Sequence, residues 1–169
     1  LYMEYKLPEG TNSTRVVHDL REIETYLKSR KEITHVTTSV GGTPGRYNLV
    51  RSIANPSLSY GELIIDFTSP EELVDNMDEI QSYLSQAYPD AYVNLKRYNL
   101  MFKKYPIEAQ FMGPDPAVLH RLADSARHIM ENTPEVRLVT TDWEPQVPVL
   151  TIEYDQPAAR ALGLSRNDV

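Results

Sequence analysis

Two stretches with helical spacing of apolar residues, each lying between strand-like runs, constrain the fold of this chain more than any other feature. The first spans about residues 13–29. The second follows Ser69, Pro70 and Glu72, which suit the N-cap, N1 and N3 positions of a helix. Alternating or β-branched runs around these stretches predict strands at residues 1–7, 33–40, 61–68 and 91–96. The predicted order is therefore βαββαβ.

This order leaves few possible topologies. A helical crossover between two parallel strands of one sheet follows a right-handed path, and two such crossovers describe the split βαβ arrangement. We therefore predict an α+β domain of the ferredoxin-like class. Its four strands would form an antiparallel sheet, and its two helices would cover one face of that sheet.

The same pattern begins again in the second half of the chain. Strands are predicted at residues 106–112, 136–141 and 147–154, and helices after Asp115 and Asp155, where proline follows at or near the first helical position. Residues 135–141 also resemble residues 32–38, and both segments end in a Thr-Thr pair. We predict that a truncated βαββ unit of the same kind follows the first.

The repeat suggests a division of the chain into two units. Residues 1–104 would form a complete subdomain, and residues 105–169 would form part of a second one. The chain opens directly in a strand-like run, and residues 165–169 have the pattern of a helix start. We therefore expect it to be a piece of a longer protein.

Composition argues against several functional classes. The net charge of −7 has the wrong sign for a chain that must neutralise phosphates, so no nucleic-acid partner is expected. There is no cysteine, which excludes disulfides and zinc-thiolate sites. No window approaches the roughly 18 apolar residues of a membrane span, and the start does not resemble a signal peptide.

No catalytic motif is present, and we predict neither an enzyme nor a bound cofactor. The glycine-rich run at residues 41–46 lacks the Lys-Ser/Thr pair and the following helix of a phosphate-binding loop. No two of the four histidines have the i, i+4 spacing of a metal site, so we interpret them as polar groups on exposed faces.

The methionines leave one metal question open, because thioethers can bind Cu(I) or Ag(I). Met77 and Met130 lie at core positions of predicted helices and are interpreted as packing residues. Met3, Met101 and Met112 lie in or beside predicted strands, where a ligand cluster would be possible.

Several segments together resemble a known transporter family. The run YKLPEG at residues 5–10 is followed by a helix and then by VGGTPGRY at residues 40–47. Later come PIEAQFMGPD at residues 106–115 and DQPAARALGLSRNDV at residues 155–169. In this order the segments resemble the second periplasmic loop of the resistance-nodulation-division (RND) efflux transporters, and they span nearly the whole chain.

The resemblance implies a fold, a function and a location. The chain would be a porter fragment of a trimeric, proton-driven pump in the inner membrane of a Gram-negative bacterium, with this portion in the periplasm. Its partners would be the remainder of the same transporter, the other two subunits of the homotrimer, a periplasmic adaptor and an outer-membrane channel. Drugs or other small amphiphiles would pass through the porter subdomains.

The resemblance also places a substrate site and a switch loop. The loop between an outer and an inner substrate pocket would comprise Gly41, Gly42, Thr43, Pro44, Gly45 and Arg46, whose glycines allow hinge motion. The pocket residues nominated by position are Thr37, Ser39, Ile64 and Asp66 from strands, and Tyr47 from the loop. Many drug-exporting relatives carry phenylalanines in this region, whereas the loop here offers Tyr47.

Two alternatives remain at this point. In the first, the chain belongs to a copper or silver exporter, because Met3 and Met101 lie at or near positions where metal-exporting members carry methionine. A third methionine expected around Ser59 or Tyr60 is absent. In the second, the chain is a freestanding ferredoxin-like module that binds a small ligand.

Overall fold

The elements of the first half follow the predicted order. The computed structural model describes residues 1–45, 53–98, 105–143, 147–148, 150, 153, 155–163 and 165. The elements are β1 (Tyr2–Lys6), α1 (Ser13–Lys28), β2 (Ile33–Val40), β3 (Tyr60–Phe67), α2 (Pro70–Ala87), β4 (Tyr92–Lys96), α3 (Pro116–Glu131) and α4 (Gln156–Ala161). Each of the six predicted elements in residues 1–98 is therefore confirmed.

The four strands form one antiparallel sheet in the order β2-β3-β1-β4. Helices α1 and α2 pack against the same face of it, α1 on β2 and β3, and α2 on β3 and β4. This is the ferredoxin-like topology that the sequence predicted, since each crossover skips one strand and the skipped strand fills the gap.

Local signals set where the helices begin. The Oγ of Ser69 accepts a hydrogen bond from the backbone N–H of Glu72 at 3.2 Å, with Pro70 in the first turn, as predicted. Asn12 caps α1 in a similar way and accepts from the N–H of Thr14 at 2.9 Å. Each cap satisfies one of the amide groups that the first turn leaves without a helical partner.

The core lies between the sheet and the two helices. Alternate residues of β1, β3 and β4 point into it, and the helices contribute one stripe each. The fully buried apolar members include Met3, Tyr5, Leu20, Ile23, Leu63, Ile65, Ile80 and Leu84. At Gly61 the approach is especially close, because a Cβ there would lie 2.3 Å from Cδ1 of Leu20. Glycine therefore lets α1 pack directly onto β3.

The second half departs from its prediction. The two helices predicted after Asp115 and Asp155 are confirmed as α3 and α4. The strands predicted at residues 106–112 and 136–141 are wrong, since both segments lack strand structure. Most of the strand predicted at residues 147–154 lies outside the described residues.

Pairing explains this departure. A strand is stable only when a neighbouring strand satisfies its backbone groups, and no segment among residues 105–143 pairs with another. Leu138 also has φ of 55°, a left-handed value that interrupts an extended run.

Within the described residues, no helix is long and apolar enough to cross a membrane.

Candidate functional site

The sheet has a second face, which points away from α1 and α2. Because side chains alternate along a strand, the residues between the core positions all project to this side. We call it the outer sheet face. It comprises His35, Thr37 and Ser39 of β2, Tyr60, Glu62, Ile64 and Asp66 of β3, Tyr2, Glu4 and Lys6 of β1, and Tyr92, Asn94 and Lys96 of β4.

The four strand residues nominated for substrate binding all lie on this face. Thr37 is directly opposite Ile64 in the β2–β3 register, and Ser39 is opposite Glu62. Asp66 lies two positions further along β3 and is exposed, whereas Ile64 is buried. The sheet therefore groups the nominated residues, and their role in binding stays a prediction.

Two carboxylates at the centre of this face were not predicted as site residues from the sequence. Glu62 and Glu4 are register partners on the adjacent strands β3 and β1. Glu62 is fully buried and accepts a hydrogen bond from the hydroxyl of Tyr60 at 3.0 Å. Glu4 forms an ion pair with Lys96 at 2.7 Å between Oε2 and Nζ. A fully buried carboxylate is expensive to desolvate, and the hydrogen bond from Tyr60 offsets part of that cost.

The tyrosines around this pair stay protonated at neutral pH. Burial raises the pKa of Tyr60 far above its ordinary value, and the charges of Glu4 and Glu62 raise it further. Burial also raises the pKa of Tyr92, although the hydrogen bond from Asn94 opposes this. The hydroxyl of Tyr60 therefore remains a donor to Glu62 throughout the physiological range.

Aromatic rings border the β1–β4 side of the outer sheet face. The rings of Tyr2 and Tyr98 lie 5.1 Å apart, and Nζ of Lys96 lies 5.6 Å from the centre of the Tyr105 ring. Sequence reasoning had expected few aromatic groups at the substrate site, because it considered the loop and not β1 or β4. The face in fact combines carboxylates with tyrosine rings.

The predicted switch loop is closed at its base. The N–H of Gly41 donates to the carbonyl of Tyr60 at 2.8 Å, and the N–H of Ser57 donates to the carbonyl of Gly41 at 3.1 Å. Gly41 has φ of 81°, which side-chain-bearing residues rarely adopt. Gly42, Thr43, Pro44 and Gly45 continue from it, while Arg46 and Tyr47 lie outside the described residues.

A carboxylate anchors the far end of this loop. Glu9, in the β1–α1 connection, accepts hydrogen bonds from the hydroxyls of Ser57 and Ser59, each at 3.0 Å to Oε2. Ser59 is buried, and its carbonyl accepts from the N–H of Leu7 at 2.9 Å. The segment that returns from the loop into β3 is thus fixed to the start of the domain.

The one methionine of the metal alternative that the structure describes, Met3, does not lie on the outer sheet face. Met3 is fully buried on the helix side of β1, among apolar core residues. Met112 is 94% exposed, and Met101 lies outside the described residues. The role of Met3 that the described residues support is packing.

Comparison with known proteins establishes the fold. No protein-family model matches the sequence, and no curated protein matches it by sequence. Two crystal forms of a heavy metal efflux pump match by structure, with TM-scores of 0.66 and 0.59, each at 19% identity. Both alignments cover 99% of this chain and 18% of the pump chain. The chain therefore shares the fold of one part of that pump and spans less than a fifth of its length.

Proposed function

We propose that this chain is part of the periplasmic porter region of an RND efflux pump. The observation that carries the proposal is the match to a heavy metal efflux pump over 99% of the chain, which agrees with the family resemblance of the sequence. Residues 1–104 would form one porter subdomain and residues 105–169 the beginning of the next. The chain would act as a moving wall of a transport path and not as an enzyme.

The whole pump would have the arrangement typical of the RND family. It would be a homotrimer in the inner membrane of a Gram-negative bacterium, driven by protons and coupled to a periplasmic adaptor and an outer-membrane channel. These features follow from the family resemblance, and the shared fold supports them because it supports that resemblance. Its energy coupling would reside in parts of the transporter beyond this chain.

We propose drugs or other amphiphiles as the cargo, with a preference for cationic ones. The outer sheet face supports this, because Asp66 is exposed on it and tyrosine rings border its β1–β4 side. Carboxylates attract cations, and aromatic faces add cation–π attraction and apolar contact. The switch loop at residues 41–46 would gate access to this face, and Glu9 would fix the segment that returns from it to β3.

A heavy metal is the second candidate cargo, and the description of the matched pump favours it. In that case Met3 and Met101 would be soft ligands. The position of Met3 in the core weighs against this use, since a metal would reach its sulfur only after α1 or α2 moved away from the sheet.

One experiment separates the two cargoes. The transporter that contains this chain is expressed in a Gram-negative strain that lacks its own RND pumps, and growth is measured with cationic dyes and with copper or silver salts. Asp66→Asn should lower resistance to cationic dyes about tenfold, the loss expected when one exposed charged contact is removed. Asp78→Asn, an exposed change on α2, serves as the control.

Met3→Leu distinguishes packing from metal binding, because leucine keeps the apolar volume and removes the thioether. If the cargo is an amphiphile, this variant should retain dye resistance. Loss of copper or silver resistance in Met3→Leu, with no dye resistance in the wild type, would overturn the amphiphile proposal. Absence of any resistance in a correctly inserted trimer would overturn the exporter proposal itself.

A further inference from the structure

Helix α1 carries a group of metal-ligating side chains on the side of the domain away from the outer sheet face. His18, Asp19 and Glu22 each place one ligand atom within 4.8 Å of the other two. We call them the α1 cluster. No metal site was predicted here from the sequence, because only pairs of histidines at the i, i+4 spacing were considered.

Asp19 provides a fixed anchor for this cluster. Asp19 is 3% exposed, and its Oδ2 accepts hydrogen bonds from the hydroxyl of Tyr5 at 2.5 Å and from Nε of Arg15 at 2.6 Å. These two hydrogen bonds hold the carboxylate in one orientation, so its oxygens keep a fixed position relative to the rest of the cluster.

One oxygen of this anchor faces the cluster. Oδ1 of Asp19 lies 3.3 Å from Nδ1 of His18 and 2.9 Å from Nε of Arg15. A carboxylate oxygen has two lone pairs, so Arg15 can occupy one while the other points to the imidazole. A cation between Asp19 and His18 would use that second position.

The other two ligands can adjust their positions. The side chains of His18 and Glu22 are 66% and 58% exposed, and Nε2 of His18 lies 3.8 Å from Oε1 of Glu22. The hydroxyl of Tyr88 lies 3.3 Å from the other oxygen, Oε2, and so leaves Oε1 available. One imidazole offers only one nitrogen to a given cation, so rotation of the exposed His18 or Glu22 side chain must bring the Glu22 oxygen to the nitrogen that Asp19 also faces. The three ligand atoms already lie within 4.8 Å of one another, so the rotation required is small.

We propose that the α1 cluster binds a divalent cation of borderline hardness, with Zn²⁺ as the probe. One imidazole nitrogen and two carboxylate oxygens form a donor set that zinc accepts, and water would complete the coordination. The guanidinium of Arg15 offsets one of the two carboxylate charges, which keeps the affinity below that of a structural zinc site. Mg²⁺ and Ca²⁺ prefer oxygen ligands alone and should bind more weakly.

The test is a titration of this chain with Zn²⁺, followed by calorimetry and by NMR of the histidine side chains. The wild type should bind saturably, with the largest shifts at His18. His18→Ala and Glu22→Gln should each weaken binding by tenfold or more, since each removes a ligand. His128→Ala is the matched control, because His128 is an exposed helical histidine that belongs to no group of three ligating side chains in the part of the chain that the structure describes.

Asp19 is left intact in this test because it also supports Tyr5 and Arg15. Unchanged zinc binding in both His18→Ala and Glu22→Gln would overturn the proposal, as would the absence of saturable binding in the wild type. Protection against thermal unfolding by Zn²⁺ in the wild type, lost in the two variants, would support it. The α1 cluster lies on the helix side of the sheet, so neither result depends on which cargo the outer sheet face contacts.

Discussion

Helices α1 and α3 have the same length and the same kind of start, yet their environments differ. Both have 16 residues, and each is capped by a side-chain oxygen, from Asn12 in α1 and from Asp115 in α3. In α1, Val16, Asp19, Leu20, Ile23 and Leu27 are buried, whereas α3 buries no residue. The difference shows that an amphipathic pattern specifies a helix, while burial of its apolar stripe depends on a sheet that the helix itself cannot provide.

The largest expected contrast is the cost of removing a leucine from each helix. Leu20→Ala in α1 should lower the free energy of unfolding by about 2–5 kcal/mol, because Leu20 is fully buried against Gly61. Leu122→Ala in α3, where the leucine is 44% exposed, should change it by less than about 0.5 kcal/mol. Urea unfolding followed by circular dichroism measures both. Equal losses would mean that α3 is packed as tightly as α1.

A smaller contrast concerns the carboxylates of the two helices. Burial raises the pKa of Asp19, but hydrogen bonds from Tyr5, Arg15 and His18 lower it by more, and the net shift is downward. These contacts therefore stabilise the fold at pH values above the ordinary aspartate pKa of about 3.9, and this stability is lost as pH falls through the lower, folded-state pKa. Asp19→Asn should therefore cost roughly 1–3 kcal/mol at neutral pH, since it weakens a buried hydrogen-bond network. Its unfolding free energy should also fall less steeply as pH drops below about 4, the ordinary aspartate value.

Asp124 in α3 provides the matched control for this prediction. Its Oδ1 lies 3.7 Å from Nη2 of Arg127, and both side chains are largely exposed. Exposed ion pairs contribute little, so Asp124→Asn should leave stability within about 0.5 kcal/mol of the wild type. If Asp19→Asn were equally neutral and showed an unchanged acid profile, the network around Tyr5 would carry no stability.

The same contrast explains how much could be predicted from the sequence. Helix starts depend on neighbours a few residues away, and the caps at Ser69 and Asp115 were therefore predicted correctly. The strands of the first unit were also predicted, because the crossovers bring each one to a partner. In residues 106–112 and 136–141 the strand-like composition was equally clear, but composition alone cannot supply the partner strand that a ladder requires.

The candidate site shows a related limit. Its strand residues could be nominated because alternation places them on one face, but the pairing of Glu4 with Glu62 depends on the β1–β3 register, which local sequence does not specify. The available signal was Glu62, a charged residue directly before the apolar residues Leu63, Ile64 and Ile65 of β3. The contact between Glu9 and Ser57 joins residues 48 positions apart, and only the folded chain reveals it.

The smallest expected effect is that of removing the N-cap of α3, and it would show whether α3 unfolds independently of the sheet. Asp115 caps α3 by accepting hydrogen bonds from the N–H groups of Ala117 and Val118, at 2.9 Å and 3.4 Å. Asp115→Ala should destabilise this helix by about 1 kcal/mol, which is seen as faster amide exchange in α3. Because α3 buries no residue, exchange in α1 and β3 should not change. Faster exchange throughout the sheet would mean that the two halves of the chain unfold together, and the contrast between α1 and α3 would then concern exposure and not stability.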